Sequence, residues 1–437
     1  MISKLFSDSR HRQILDIALP SIVSNITVPL LGLIDVGIVG HLGDSAYIGA
    51  IAVGSMAFNV IYWLFAFLRM GTSGMTSQAL GARKLTEVCS ILVSTISVCV
   101  SIALVFIALQ VPIRNLALWL MNTTGDIHSL ASTYFDICIW GAPAVMALFG
   151  LNGWFIGMQN SRIPMIVAVS QNVINIIASM ILVFGMGMKI EGVALGTVIA
   201  QYSGCLIAVV LLLVNYSRIG KYFSRKNIFE KRMMKRMFTV NRDIFLRTLF
   251  LVSVNLFFTS AGSLQGKEIL SVNTLLMQLF LLYSYTMDGF AFAGEALCGK
   301  AYGAANKIAF ADTFKKVMAW GVALSLLYTL VYCLLGKYIL QILTDNPDVL
   351  ALSANYLPWA MAFPFAGLLA FVYDGVFIGC TKTKGMLLST LFGAIAFFGL
   401  YFGLRTTMGN HGLWLSFVAF LLARGLTLHF ILRNKNF

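Results

Sequence analysis

The chain has 437 residues, of which 59% are hydrophobic and only 11% charged, and its mean hydropathy is +0.85; a soluble globular chain carries about 25% charged residues. This composition excludes a water-soluble domain and asks for a bilayer as solvent. The formal net charge of +14 invites a nucleic-acid reading, but the basic residues are spread through the short segments between apolar runs, where the positive-inside rule puts them, so no nucleic-acid partner is expected.

Apolar runs long enough to cross a hydrocarbon core of about 30 Å lie at 14–40, 47–71, 88–110, 131–156, 163–185, 190–215, 243–264, 269–293, 310–335, 354–379, 386–407 and 411–432. The pattern predicts an all-α polytopic membrane protein of about twelve transmembrane helices. The first run exceeds a signal-peptide core of about 7–15 residues and is expected to remain as a span. Pro20 and Pro29 lie within it, where each removes a backbone hydrogen bond and permits a bend. Pro143 and Pro364 do the same for the fourth and tenth runs.

The two halves repeat. Gly153-Trp154-Phe155-Ile156-Gly157 is answered 222 residues later by Gly375-Val376-Phe377-Ile378-Gly379, Gln78–Ala82 by Lys300–Ala304, and Arg162 by Lys384. Duplicated halves in an apolar chain are what a transporter uses to build two rocking lobes around a central site. Six spans per half return the second half to the side where the first began, so two six-helix lobes related by a pseudo-two-fold axis along the membrane normal are expected. The predicted domains are an N-terminal lobe at 1–215, a basic linker at 216–242 and a C-terminal lobe at 243–437. With both termini cytoplasmic, 26 of the 31 Lys and Arg fall inside, leaving Arg114, Lys189, Lys267, Lys337 and Arg405 outside. In the linker, Ile228, Phe229, Met233, Met237 and Phe238 interleave with Lys231, Arg232, Lys235 and Arg236. That reads as an amphipathic helix on the anionic inner leaflet, with a plain solvated loop as the alternative.

Enzyme signals are weak. The seven Cys form no Cys-x-x-Cys pair and the five His lack i, i+4 spacing, so no metal, disulfide or cofactor is implied. Gly294-Glu-Ala-Leu-Cys-Gly299-Lys300-Ala301 approaches a phosphate-binding loop, but Ala301 replaces the hydroxyl that would hold Mg²⁺ and the segment follows an apolar helix instead of a strand. No nucleotide is expected, which leaves an ion gradient as the energy source.

Carboxylates inside spans carry the chemistry, since each costs roughly 2.5–3.5 kcal/mol on insertion scales. Asp35 lies in the outer part of the first run, and its counterpart 222 residues on is Phe257. A structural acid of a duplicated scaffold would more often recur, so the asymmetry favours a coupling role for Asp35 over a buried hydrogen bond. Polar residues gather in the same half: Asn152, Gln171, Asn172, Asn175, Ser179, Thr197 and Gln201. Asn172, Asn175 and Ser179 fall on one helical stripe, lining a cation or proton site or joining helices by hydrogen bonds. In the second half, Asp374 stands at the position of Asn152, and Asp288 and Glu295 lie in the eighth run. Glu295 suits pairing with Lys300 at the membrane edge, whereas Asp288 and Asp374 suit either a hinge hydrogen bond or a second titrating site.

These residues together resemble the multidrug and toxic compound extrusion family, in its DNA-damage-inducible-protein-F-like branch. Ala18-Leu-Pro20, Leu31-Gly-Leu-Ile-Asp35 with Gly40-His-Leu-Gly43, Gln78–Ala82, Gly192-Val-Ala-Leu-Gly-Thr197, Asn241-Arg-Asp243 before Arg247, and Asp288–Glu295 are similar to that branch's patterns, over essentially the whole chain. The resemblance implies an antiporter of the inner membrane, exporting organic cations or amphipathic drugs by alternating access between two lobes, driven by H⁺ or Na⁺. It also implies Asp35 as the coupling aspartate, Pro20 as the bending proline, and Asn152, Asn175 and Thr197 as cation-site residues, with Na⁺ placed at Asp35, Asn175 and Thr197 if that ion is used. Several relatives carry an acid where this chain has Ser179; one charge fewer weakens a Na⁺ site more than a proton site, so H⁺ is favoured. Methionines such as Met56, Met146, Met158, Met180, Met277 and Met287 offer adaptable walls, or plain packing. A monomer in the lipid bilayer is expected. The rival readings are a flippase of a lipid-linked precursor, which would want several Arg or Lys in its spans, and a membrane enzyme or receptor, for which no constellation is present.

Overall fold

In the computed structural model the described residues are 9–40, 45–223 and 230–434, without the side chains of 28–33, 36, 39, 40, 45 and 434. The side chain of Pro29, His41 and Gly43 of the family-like motif, and Ile228 and Phe229 of the linker lie outside them. No strand occurs among the described residues. The helices are α1 Ser9–Gly40, α2 Ser45–Phe65, α3 Phe67–Gly81, α4 Leu85–Ala108, α5 Gln110–Leu120, α6 Gly125–Cys138, α7 Ala142–Gly157, α8 Arg162–Met180, α9 Ile190–Tyr216, α10 Lys231–Ser263, α11 Lys267–Gly303, α12 Lys307–Leu343, α13 Pro347–Gly379 and α14 Thr383–Asn434. Ten described segments are long and apolar enough to cross a membrane, counting α2 with α3 and α6 with α7. Adding α1 and dividing α14 at Gly409, whose φ of 52° interrupts it, gives the twelve expected spans.

The chain falls into two compact units, Val23–Met237 and Met1–Ile22 with Phe238–Phe437. The passage between them occurs within α1, two residues after Pro20, and within α10. The start of α1 belongs with the second half for identifiable reasons. Arg10 Nε lies 3.6 Å from Asp312, Trp320 Nε1 donates to His11 Nδ1 at 3.1 Å, and Gly289 lies against the Ala18 carbonyl.

The duplication is visible in backbone geometry, within each unit separately. In the first, α7 meets α3 so closely that a Cβ on Gly153 would lie 2.3 Å from the Arg69 carbonyl oxygen, and one on Gly157 2.7 Å from that of Ser73. In the second, α13 meets α11 with Gly375 against the Ala291 carbonyl oxygen at 2.2 Å and Gly379 against that of Glu295 at 2.4 Å. All four contact positions are 222 residues apart. The helix ends repeat too: Arg83 and Ala305, and Gln159 and Thr381, all take left-handed backbones (φ 56°, 53°, 65° and 50°). Each closes its helix with the paired hydrogen bonds of a Schellman motif, such as Lys84 N–H to Ala79 O and Asn306 N–H to Ala301 O, both 3.0 Å.

Such close approach makes a sharp stability prediction. Gly375→Ala drives a methyl into the backbone of α11, which cannot yield as a flexible side chain would, and is expected to cost about 2–3 kcal/mol. Thermal unfolding of the purified protein in detergent checks it; an unshifted transition would show that α11 and α13 do not touch there.

Four features bear on the sequence reading, some in agreement with it and some against it. The fourth span is broken: α6 ends at Cys138, a 3₁₀ turn covers Ile139–Gly141, and α7 begins with Pro143 near its first position. The Tyr202 hydroxyl takes up the Trp140 carbonyl at 2.8 Å. Pro364, by contrast, lies inside a continuous α13. Next, the described part of the linker holds a short 3₁₀ helix at Ser217–Tyr222, and its basic stretch is the start of α10, which runs unbroken from Lys231 to Ser263. Met233 and Met237 pack among Met75, Val88 and Trp154, whereas Phe238 is exposed. The motif at Gly294–Ala301 is helical throughout and makes no phosphate cradle. Finally, Arg247 and Arg424, assigned from sequence to inner loops, are buried at 5% and 6% exposure within α10 and α14; hydropathy averaging hides a single buried cation whose partner is remote in sequence.

Candidate functional site

α1 presents Asp35 to the interior of the first unit, 5% exposed, on the same face as the buried Ile38. Its Oδ1 is buried and accepts no hydrogen bond among the described residues. Tyr134 and Cys138, one turn apart on α6, lie within its electrostatic reach. Cys138 Sγ points to the Ala194 carbonyl at 3.9 Å, and the Tyr134 hydroxyl is 3.4 Å from Ser55 Oγ. No ion pair to Asp35 occurs among the described residues. A buried carboxylate in that setting has no resident countercharge.

The polar stripe of α8 faces α9. Asn175 Nδ2 donates to Thr197 Oγ1 at 3.1 Å, and Thr197 in turn donates to the Val193 carbonyl at 3.1 Å. Gly196 makes room for Ser179, whose Oγ would lie 2.3 Å from a Cβ there. Asn175 and Ser179 are fully buried, and Asn175 Oδ1 and Ser179 Oγ have no partner among the described residues. Buried polar oxygens are ordinarily hydrogen-bonded, which makes these two notable acceptor positions. Asn172 departs from the stripe: its Nδ2 donates to the Thr27 carbonyl of α1 at 3.0 Å. Gln201 packs on Gly141 at the break between α6 and α7, and Asn152 holds a buried Oδ1 beside the Gly153 contact. Ile38, Tyr134, Cys138, Val193 and Ala194 belong to one packed cluster, which joins the surroundings of Asp35 to the start of the Thr197 turn.

Tyr134, Cys138 and Tyr62 were not singled out from sequence. Tyr62 shares the neighbourhood of Cys138 and its buried hydroxyl has no partner among the described residues. Each stands in an apolar run, where a phenol or thiol looks like packing; only the helix assembly brings them to the acid.

In the second unit Asp374 is held by two guanidinium groups. Arg424 Nη2 donates to its Oδ2 at 2.6 Å, and Arg247 Nη2 donates to the same oxygen. Asp288, half-buried on α11, lies within the field of Arg424. Asp243 accepts from Thr383 Oγ1 at 3.1 Å and pairs with Arg242 at 2.9 Å. Glu295 is fully buried within the protein. The two units are thus unlike in charge among the described residues: a buried carboxylate without a cationic partner in one, a carboxylate held by two guanidinium groups in the other.

The MatE family model matches residues 20–181 and 244–402. The chain belongs to this family. MatE proteins are multidrug and toxic compound efflux transporters, not enzymes, and the two matched segments correspond to the two repeated halves. The chain is 35% identical to the DNA damage-inducible protein F of Escherichia coli K12, over 99% of this chain and 94% of that one. It is 22% identical to the multidrug export protein MepA of Staphylococcus aureus, over 86% of this chain and 84% of that one. Among solved structures, one described as MATE in the bent conformation superimposes with a TM-score of 0.88 at 18% identity, covering 98% of this chain and 96% of that one, which establishes the MatE fold.

Proposed function

We propose that the protein is a secondary antiporter that exports organic cations or amphipathic compounds in exchange for H⁺ by alternating access, with Asp35 as the coupling carboxylate. The observation that carries this reading is the isolation of Asp35: buried, with one oxygen free of hydrogen bonds among the described residues and no cation paired to it. A proton and a cationic substrate can neutralise such a group in turn, and neither has to displace a resident Arg or Lys. Asn175, Thr197 and Asn152 supply neutral polarity around the path, and Pro20, close to where α1 passes between units, supplies the bend. The likeness to MepA, named as a multidrug exporter, supports a broad substrate range. Location in the inner membrane and action as a monomer belong to the same proposal, as does the cytoplasmic placing of both termini, which rests on the charge asymmetry of the loops.

A Na⁺-driven reading has one observation in its favour, the unsatisfied oxygens of Asn175 and Ser179. A hard cation prefers several oxygen ligands including charge, and only Asp35 supplies charge here, so H⁺ is preferred. Proteoliposomes with imposed gradients separate the two. Export should proceed in Na⁺-free buffer and stop when both the pH gradient and the membrane potential are collapsed. Ser179→Asp, which adds the missing acid, should increase Na⁺ sensitivity. A wild type that needs Na⁺ at fixed pH overturns the choice of ion and leaves the transporter assignment standing.

A further inference from the structure

Below the first unit's helices, at the end expected to face the cytoplasm, a cavity of about 930 Å³ opens between the α3–α4 turn and the start of α10. Four cations line it, Arg83, Lys84, Arg232 and Arg236, against two carboxylates, Glu87 and Glu230. Glu87 is shared by Arg236 at 3.6 Å and Lys84 at 3.8 Å. Arg83 and Arg232 have no ion-pair or hydrogen-bonding side-chain partner among the described residues, and both are exposed to the cavity side of the chain. The structure therefore holds an excess of positive charge around a defined space.

The repeat shows that this is not scaffold. At the matching turn of the second half, Ala305 and Asn306 stand where Arg83 and Lys84 do. Asn306 caps α12 by accepting from the Ala309 N–H at 2.9 Å, as N-cap residues ordinarily do. Lys84 makes no such cap, so the first N–H groups of α4, a 24-residue helix, add their partial positive charge to the cavity wall. Tyr222, 45% exposed, borders the same space and is suited to the glycerol and acyl region of a lipid.

We propose that this cavity binds the phosphate-bearing headgroup of an anionic phospholipid from the cytoplasmic leaflet. Arg83, Lys84 and Arg232 contact the phosphate, and Tyr222 faces the chains below it. The inference rests on the membrane orientation proposed above but not on the coupling role of Asp35, so the two stand or fall separately. Basic residues at an anionic membrane surface each add to lipid attraction, and a cavity that gathers them gives preference for one headgroup class over diffuse adsorption.

The test is native mass spectrometry of the full chain in detergent with equal phosphatidylglycerol and phosphatidylcholine. The proteins compared are wild type, the triple variant R83Q/K84Q/R232Q, and a charge-matched control, K307Q/K315Q/K384Q. Wild type and control should retain phosphatidylglycerol about tenfold over phosphatidylcholine, and the cavity variant should lose that preference while unfolding at the same temperature. Equal loss in both triple variants overturns the site in favour of diffuse charge. Binding of inorganic phosphate that depends on Arg83, Lys84 and Arg232, without phosphatidylglycerol preference, overturns the lipid as occupant.

Discussion

Asp35→Asn is expected to abolish gradient-driven export while leaving the protein folded and inserted. The amide is nearly isosteric with the acid, and Oδ1 of Asp35 accepts no hydrogen bond among the described residues, so no described bond to that oxygen is lost. What disappears is the ability to carry a proton inward. One proton moving down 100 mV contributes about 2.3 kcal/mol, equal to about 50-fold substrate accumulation, and this gain should fall to background. Measurement requires purified protein in proteoliposomes, with a fluorescent cationic substrate and imposed pH and voltage gradients. Retention of wild-type accumulation in Asp35→Asn would falsify the coupling role.

The second large effect lies in the other unit and concerns stability. Asp374→Ala removes the carboxylate with which two buried guanidinium groups, Arg247 and Arg424, pair, and breaking a buried ion pair in this way costs about 3–5 kcal/mol. Helices α10, α13 and α14 meet at this cluster, so the variant should unfold well below the wild type and express poorly. Compensation distinguishes charge from packing. Combining Asp374→Leu with Arg247→Met and Arg424→Met removes all three charges of this ion cluster, and apolar replacement of a whole buried ion cluster is often neutral or stabilising. Thermal unfolding in detergent should therefore show a large loss for the single variant and recovery in the triple. If Asp374→Ala unfolds at the wild-type temperature, the cluster does not hold the three helices. The cluster also narrows what Asp374 does: its charge is engaged by two cations, whereas that of Asp35 has none.

The same contrast weighs on the flippase reading. From sequence the spans look almost free of Arg and Lys, yet Arg247 and Arg424 are buried inside one unit. They converge on Asp374 and are thereby turned toward an internal anion; a phosphate-binding wall would need such groups facing a cavity.

Much of the architecture was legible before any packing was known. Whether a segment enters the bilayer depends on the sum of its own residues' transfer energies, so hydropathy located the spans, although their helices run further, as α11 does to Gly303 and α13 from Pro347. The 222-residue repeat was readable because the close contacts at Gly153, Gly157, Gly375 and Gly379 demand glycine, and a demand so strict leaves its mark in both halves. The polar pairing of Asn175 with Thr197 was anticipated only as a tendency, since a helical stripe tells which side chains share a face but not which neighbour they meet.

What only the tertiary structure decided are the meetings between residues remote in the chain. Arg247 and Arg424 reach Asp374 across 127 and 50 residues, and Tyr134 and Cys138 come to Asp35 from another helix. The start of α1 joins the second half through Arg10, His11 and Ala18. By itself the sequence determined that this chain is a duplicated, membrane-spanning helical protein whose first half carries a span carboxylate, Asp35, without a counterpart in the second, because local composition and the strict glycine positions carry that information. Which buried charges are answered and which are left open is set by the helix assembly, because a partner's approach depends on how helices pack and not on their separation in sequence.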